Sequence, residues 1–368
     1  MDRPFLRPTW AEISLPALRA NLKRLRSRLP SKTKLLFVVK GDAYGHGALA
    51  CSRLAQRSGV VDWLGVSSVE EGAALRDAGV RLPILVLGSL YPFESFRAAA
   101  FYGLVPTVAS LDSARRLEEM MRRIARRSAC HIKVETGMGR IGMTPRAALD
   151  ALGVLSAQRE VRVGGVYTHF ACAESNRQFT EMQIGRFNRF LAAAAARNLR
   201  TGLRHAANSA GALEYPGSRF DMVRPGLAAY GLYEGFEPVL TLKTKIVFIK
   251  MVKPGTPIGY GAAFRAKRRT RVATVPIGYA DGFSRGLSNK GEALVGGRRC
   301  PVVGTVAMDM TMLDVTQAKG ARVGDEVVLL GRSGRSEIPA GEVARKLGTI
   351  PYEVVCSISG RVPRVCLP

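Results

Sequence analysis

Two textures of apolar and polar positions divide the chain near residue 238. Before that point, short apolar runs alternate with stretches in which apolar residues recur every three or four positions. The runs Leu35–Val39, Trp63–Val66, Ile84–Leu87, Leu104–Val108, His131–Glu135, Val163–Thr168, Leu203–Ala207 and Phe220–Val223 predict strands. Helical spacing over 47–58, 68–78, 92–102, 111–127, 145–157 and 178–199 predicts helices between most of them. Upstream, Thr9–Ile13 predicts a further strand. Leu15, Leu18, Leu22, Leu25 and Leu29 predict a helix over 16–29, with Ser14 as its cap and Pro16 in its first turn. Eight strands with intervening helices fit a (β/α)8 barrel of the TIM type better than an open doubly wound sheet.

Beyond residue 238 the helical period is lost. Short β-branched segments, Thr241–Val252, Arg271–Ile277, Pro301–Val303, Thr305–Val315, Glu326–Leu330 and Val354–Val365, follow one another between Gly or Pro turns. The expected organisation is an α/β barrel over 10–238 and a smaller, mainly β domain over 239–368, with a strand within 1–13 packing on the latter.

Composition adds three constraints. A hydrophobic content of 47% in 368 residues supplies ample core. No apolar run approaches the length needed to cross a membrane, and Met1-Asp2-Arg3-Pro4 opens without a secretory apolar region, so the cytoplasm is the expected compartment. The six cysteines lie far apart with no CxxC pair, and read as reduced thiols rather than a disulfide frame or a metal site. The net charge of +26 raises the question of a polyanionic partner. The basic runs at 122–127 and 267–271 are short and carry no nucleic-acid-binding motif, which favours a solvated basic surface over a specific nucleic-acid module.

In a barrel of this kind, chemistry sits just past the carboxyl ends of the strands. That rule selects Lys40 after the first strand, Gly137-Met138-Gly139-Arg140 after the fifth, His169 after the sixth, Asn208-Ser209 after the seventh and Arg224-Pro225-Gly226 after the eighth. Lys40 follows an apolar strand and opens a loop of Gly, Asp, Tyr and His. An amine held there loses hydration, its pKa falls, and its neutral form becomes a nucleophile toward carbonyls. The competing reading is a solvated lysine ending a strand.

These residues resemble the alanine racemases, the barrel family of pyridoxal 5′-phosphate (PLP) enzymes. The resemblance runs through Val39-Lys40-Gly41-Asp42-Ala43-Tyr44-Gly45-His46-Gly47, Lys133 to Arg140, Thr168-His169-Phe170-Ala171, Asn208-Ser209, Arg224-Pro225-Gly226, Gly259-Tyr260-Gly261, Gly278 to Gly282, Ala307-Met308-Asp309 and Ile350-Pro351-Tyr352-Glu353. It implies that Lys40 holds PLP covalently and that Tyr260 is a second base, reaching the cofactor of the opposite subunit in a head-to-tail homodimer. Lys40 would serve the D-amino acid and Tyr260 the L-amino acid. Arg224 is expected against the pyridine nitrogen. An arginine there is a permanently charged donor, so the nitrogen stays unprotonated and the ring is a weaker electron sink.

The resemblance further assigns the phosphate to Tyr44, Ser209, Gly226, Leu227 and Tyr352. Arg140 is placed near the phenolic oxygen and the substrate carboxylate, with Met308 offering a backbone N–H to that carboxylate. His169 is expected beside the ring and His205 against Arg224, while His131 and Asp42 read as scaffold. Lys133 matches a lysine that the family often carries carbamylated; the alternative is a barrel lysine paired with a carboxylate. Tyr279, Glu174, Arg285 and Asp309 resemble the substrate entryway. Two positions depart from the commonest family pattern: Gly41, where alanine is usual, and Ala307, where cysteine often occurs. Both are smaller, which leaves serine or another small amino acid open beside alanine. The expected activity is racemisation of alanine, supplying D-alanine for peptidoglycan. The alternatives are a racemase of broader specificity and a PLP barrel decarboxylase, the latter needing a carboxylate where Arg224 stands.

Overall fold

The computed structural model describes residues 6–368, so the first five residues of the expected N-terminal strand segment lie outside it. The chain forms two compact units. One comprises Arg19–Ala43 and Ala48–Ala229; the other comprises the described residues up to Leu18, Tyr44–Gly47 and Tyr230–Pro368.

The first unit is a closed parallel barrel. Its strands are β2 (Lys34–Val38), β3 (Trp63–Val66), β4 (Ile84–Ser89), β5 (Val105–Val108), β6 (Ser128–Lys133), β7 (Val161–Tyr167), β8 (Leu203–His205) and β9 (Met222–Val223), after β1 (Thr9–Ser14) of the other unit. Neighbours pair in order, and the pairing of Lys34 with Met222 and Leu35 with Val223 closes the ring. Strands covered on both faces need no alternation, which is why Leu35, Leu36, Phe37 and Val38 form one buried run. The predicted seventh and eighth strands are real but shorter than expected, because the chain turns away at Ala206 and has not yet paired at Phe220.

The helices around the barrel carry local stop and start signals. Ser68, Ser110, Thr144 and Asn176 each accept a backbone N–H at a helix start. The predicted helix over 111–127 stops at Arg123, and Ala125 takes a positive φ of 52°.

In the second unit, β1 pairs antiparallel with β10 (Leu240–Lys245) and parallel with β20 (Arg364–Leu367). β10 joins a larger sheet through β18 (Glu326–Ser333), which also pairs with β15 (Glu292–Val295) and β19 (Ser336–Ile338). β16 (Arg298–Pro301) continues that sheet beside β15. A separate sheet holds β11 (Phe248–Val252), β14 (Thr270–Val275) and β17 (Thr311–Asp314), and β12 (Pro257–Ile258) pairs with β13 (Phe264–Arg265).

Four expectations are corrected here. The run Thr241–Val252 is two strands in different sheets, parted at Ile246 and Val247. The segment Thr305–Val315 is strand only over Thr311–Asp314. Val354–Val365 begins inside the helix Pro351–Cys356, where Pro351 at the first turn sets the helical φ and the β-branched Val354-Val355 mislead. A further helix, Ala340–Leu347, ends at Gly348 in the left-handed region and buries Ala340, Val343 and Ala344.

Candidate active site

The site is built from the segments that leave the barrel strands. Lys40 is half-buried and begins a turn in which Gly41, Asp42, Ala43, Tyr44 and Gly45 have φ of 61°, 51°, 55°, 53° and 78°. Five successive positive φ values make a left-handed helical turn, which costs a non-glycine residue about 1–2 kcal/mol. Hydrogen bonds hold it: Ala43 N donates to Val39 O at 2.8 Å, Gly41 N to Glu71 Oε1 at 2.7 Å and Ala48 N to Asp42 Oδ1 at 2.7 Å. Strain kept in place by such bonds fixes the exit of the lysine from its strand.

Arg224 follows β9 and is 4% exposed. Its Nη1 donates to His205 Nδ1 at 2.8 Å; its Nη2 donates to Thr168 O at 2.8 Å, Ala206 O at 2.9 Å and His169 Nδ1 at 3.3 Å. Each of these acceptors is neutral. The guanidinium carbon lies 5.1 Å from the centroid of the Tyr167 ring, and that ring stacks on His205 at 4.7 Å and 4°. Burial lowers the Arg224 pKa to about 10, so the cation persists at neutral pH. Burial, and then Arg224, push His169 and His205 well below the ordinary histidine range.

Lys133 ends β6, buried, with its amine 5.5 Å from the Tyr167 centroid. Burial first, then Arg140, Arg224 and Lys40, bring its pKa down to about 7, against the opposing pull of Glu135. Four cations therefore act on one space. Glu135 opposes them, and its carboxylate also shapes the loop that carries Arg140, accepting from the amides of Gly137, Met138 and Gly139. Gln183, fully buried, ties that loop to the next by donating to Thr136 Oγ1 and His169 O.

Ser209 opens a short helix capped by Asn208. The Ser209 hydroxyl oxygen accepts from Gly226 N at 3.2 Å and Ala228 N at 3.1 Å, so its own hydrogen remains to donate to an anion. Leu227 lies buried between those two amides in sequence. This chemistry fits an anionic, carbonyl-bearing cofactor: an amine at a strand end, a donor-only arginine with neutral partners, and a serine with a hydrogen to give.

The chain matches family models for the alanine racemase N-terminal domain over residues 13–234 and C-terminal domain over 239–366. A Symbiobacterium thermophilum protein named alanine racemase is 45% identical over 374 residues, covering 99% of this chain and 98% of its own. One from Halothermothrix orenii is 41% identical over 373 residues, with 99% and 98% covered. A solved alanine racemase from Bacillus anthracis, with bound L-Ala-P, superposes with a TM-score of 0.93 at 36% identity, covering 100% of this chain and 96% of that one. The chain belongs to the alanine racemase family. It is thus an enzyme of the isomerase class, with the family's barrel and mainly β domain.

The remaining residues expected from the racemase resemblance fall into local groups. On the β unit, Tyr44 is buried with its ring 5.0 Å from Tyr230 and 5.6 Å from Tyr352, and burial pushes its phenol up. Tyr260 is 74% exposed; its carbonyl accepts from Thr305 Oγ1 at 3.1 Å. Tyr279 and Met308 are also exposed and share a turn, where Tyr279 N donates to Ala307 O and Ala280 N to Met308 O. Asp309 pairs with Arg361 at 2.6 Å, and Arg285 is an exposed cation beginning a short 3-10 turn. Glu174 is exposed on the barrel unit.

Three residues of this candidate site had no chemical role assigned by sequence. Tyr167 supports both Arg224 and Lys133, Glu135 shapes the Arg140 loop, and His131, expected as scaffold, bonds His205. Only Glu135 left a signal, a carboxylate just before a Gly-containing turn.

Proposed function

We propose that this chain is a PLP-dependent racemase that interconverts L-alanine and D-alanine, with residues 10–238 as the cofactor-binding barrel. The observation that carries the reading is Arg224: a buried cation whose partners are neutral acceptors, at the barrel end that also presents Lys40, Lys133 and Arg140. Bound there, PLP supplies a carbonyl for the substrate amine and a conjugated ring that disperses the charge left when the Cα–H bond breaks. Lys40 anchors the cofactor, and its Nζ then exchanges a proton with one face of Cα. Tyr260 of the partner subunit exchanges a proton through its Oη on the other face. Two bases on opposite faces are what inversion requires, since one base alone returns the proton to the side it left.

Arg224, always a donor, would face the ring nitrogen and keep it unprotonated, so that the cofactor would supply a weaker electron sink. His169 would stand beside the ring. Ser209, Gly226, Leu227, Tyr44 and Tyr352 hold the phosphate, and Arg140 with the Met308 amide holds the substrate carboxylate. A neutral fraction of Lys133 at pH 7 is able to add carbon dioxide and release a proton, giving a carbamate that orients Arg140. Tyr279, Arg285, Asp309 and Glu174 form the entryway. The exposed Tyr260, Tyr279 and Met308 are the surfaces that a head-to-tail homodimer would cover. The product serves peptidoglycan synthesis in the cytoplasm; no helix among the described residues is long and apolar enough to cross a membrane.

Incubation with L-alanine in deuterium oxide should yield D-alanine and deuterium at Cα in both enantiomers; a protein that does neither is not this enzyme. The small residues Gly41 and Ala307 favour including L-serine in the same assay.

A further inference from the structure

The contacts of Arg224 do not stop at His205. His205 Nε2 lies 2.8 Å from His131 Nδ1, and both rings are fully buried. Arginine only donates, so His205 Nδ1 must carry a lone pair and His205 Nε2 the hydrogen. His205 Nε2 then donates to His131 Nδ1, which leaves the His131 hydrogen on Nε2. That last N–H is buried and has no hydrogen-bond partner. One donor and acceptor pattern therefore satisfies the whole row, from the guanidinium to His131.

The barrel makes room for this row. In the register of β6 and β7, His131 lies opposite Gly165. A Cβ at Gly165 would stand 2.7 Å from His131 Cε1 and 2.8 Å from Nδ1, and one at Gly164 would stand 3.4 Å from the same ring. Gly165 thus lacks a side chain where the imidazole sits, whereas a methyl group at Gly164 would only touch the ring. A ring used merely as filler would be served equally well by an apolar side chain, without an orphaned buried donor.

We propose that His131 is a positioning residue for the racemase reaction: by accepting from His205 it fixes the tautomer that presents Nδ1 to Arg224, and so holds the guanidinium in place for the cofactor's ring nitrogen. This rests on the reading of Arg224 given above. Without the acceptor at His131, His205 can turn or exchange tautomers. In the other tautomer its Nδ1–H would face the guanidinium, donor against donor.

The test uses the cofactor-loaded protein, nitrogen-15 labelled at histidine. With only four histidines in the chain, the ring signals are assignable by single substitutions. His131 and His205 should both show a protonated Nε2 and a bare Nδ1 at pH 7.5. His131→Leu should broaden or shift the His205 pair, move the absorbance band of the bound cofactor, and lower kcat about tenfold, with KM for alanine changed less than twofold. His131→Asn, whose amide oxygen replaces Nδ1 as acceptor, should restore the spectra and bring kcat to within about threefold of the parent.

A bare Nε2 on His205 in the parent protein would overturn the proposal, whether or not His131→Leu folds. So would His131→Asn performing no better than His131→Leu, which would show a packing role. The tautomer measurement repeated without cofactor separates the two readings. A correct relay in a protein that does not racemise alanine would leave the His205–His131 geometry standing and remove its catalytic meaning.

Discussion

At the residue scale, the barrel holds unusual charge states by exclusion of water. His131 and His205 are fully buried; burial and Arg224 push His131 down to about 3 and His205 well below its ordinary value. Neither nitrogen pair has room for a second proton, because His205 Nδ1 faces a guanidinium and His131 Nδ1 faces an N–H. In the unfolded chain both titrate near 6.5. The unfolded state therefore binds more protons as pH falls below about 6.5, and stability contributed above that value is lost on acidification. His169, also held well below the ordinary range by burial, adds a third such group, and for three the loss between pH 7 and pH 5 is about 6 kcal/mol. Denaturant titrations at the two pH values should show that drop, and His131→Asn should remove about a third of it. A stability independent of pH across this window would mean that the rings take up protons in the fold.

At the element scale, the left-handed turn after Lys40 contrasts two glycines. Gly41 has φ +61° and open space where a Cβ would go; Gly45 has φ +78°, and a Cβ there would stand 2.4 Å from Val355 O. Gly41→Ala should cost about 1 kcal/mol, the left-handed penalty alone. Gly45→Ala adds a collision with backbone that cannot rotate away, and should cost at least about 3 kcal/mol. Urea midpoints of the two variants measure the difference, and equal values would show that the turn refolds locally. No hydropathy pattern announces this turn, because Lys40 to Gly45 is too short for a period. Elsewhere legibility follows burial. Barrel strands covered on both faces read as unbroken apolar runs, so Leu35–Val39 and Trp63–Val66 are visible at once. In the β unit, edges and one-sided sheets weaken the pattern, and the helix at Pro351–Cys356 is masked by β-branched residues that favour strands in isolation. The site divides in the same way. Lys40 and Arg224 are legible because strand ends expose them to a positional rule. Tyr167 and His131 are not, because their roles arise from register: Lys133 opposite Tyr167, Tyr167 opposite His205, and His131 opposite Gly165. A slip of one residue would send every one of them to the other face of the sheet.

At the scale of the whole molecule, the proposed division of labour is between chains. Lys40 belongs to the barrel unit and Tyr260 to the β unit, where it is left 74% exposed, an unusual state for a tyrosine assigned to catalysis. If Tyr260 of the partner subunit completes each site, a dimer mixed from Lys40→Ala and Tyr260→Phe chains holds one site with both defects and one with neither. The intact site combines Lys40 from the Tyr260→Phe chain with Tyr260 from the Lys40→Ala chain. Each variant alone should be nearly inactive in converting L-alanine to D-alanine. Unfolding and refolding an equimolar mixture makes mixed dimers about half the population, each with one working site of two, so activity should return to about a quarter of the parent value. A site complete within one chain gives a different result. The mixture would then be no more active than the average of the two variants, at any ratio of mixing. The measurement thus separates a shared site from a self-contained one by activity alone, and the net charge of +26 sets its conditions. Like-charged chains associate more readily as salt screens them, so the recovered quarter should be reached faster at 0.3 M salt than at 0.02 M.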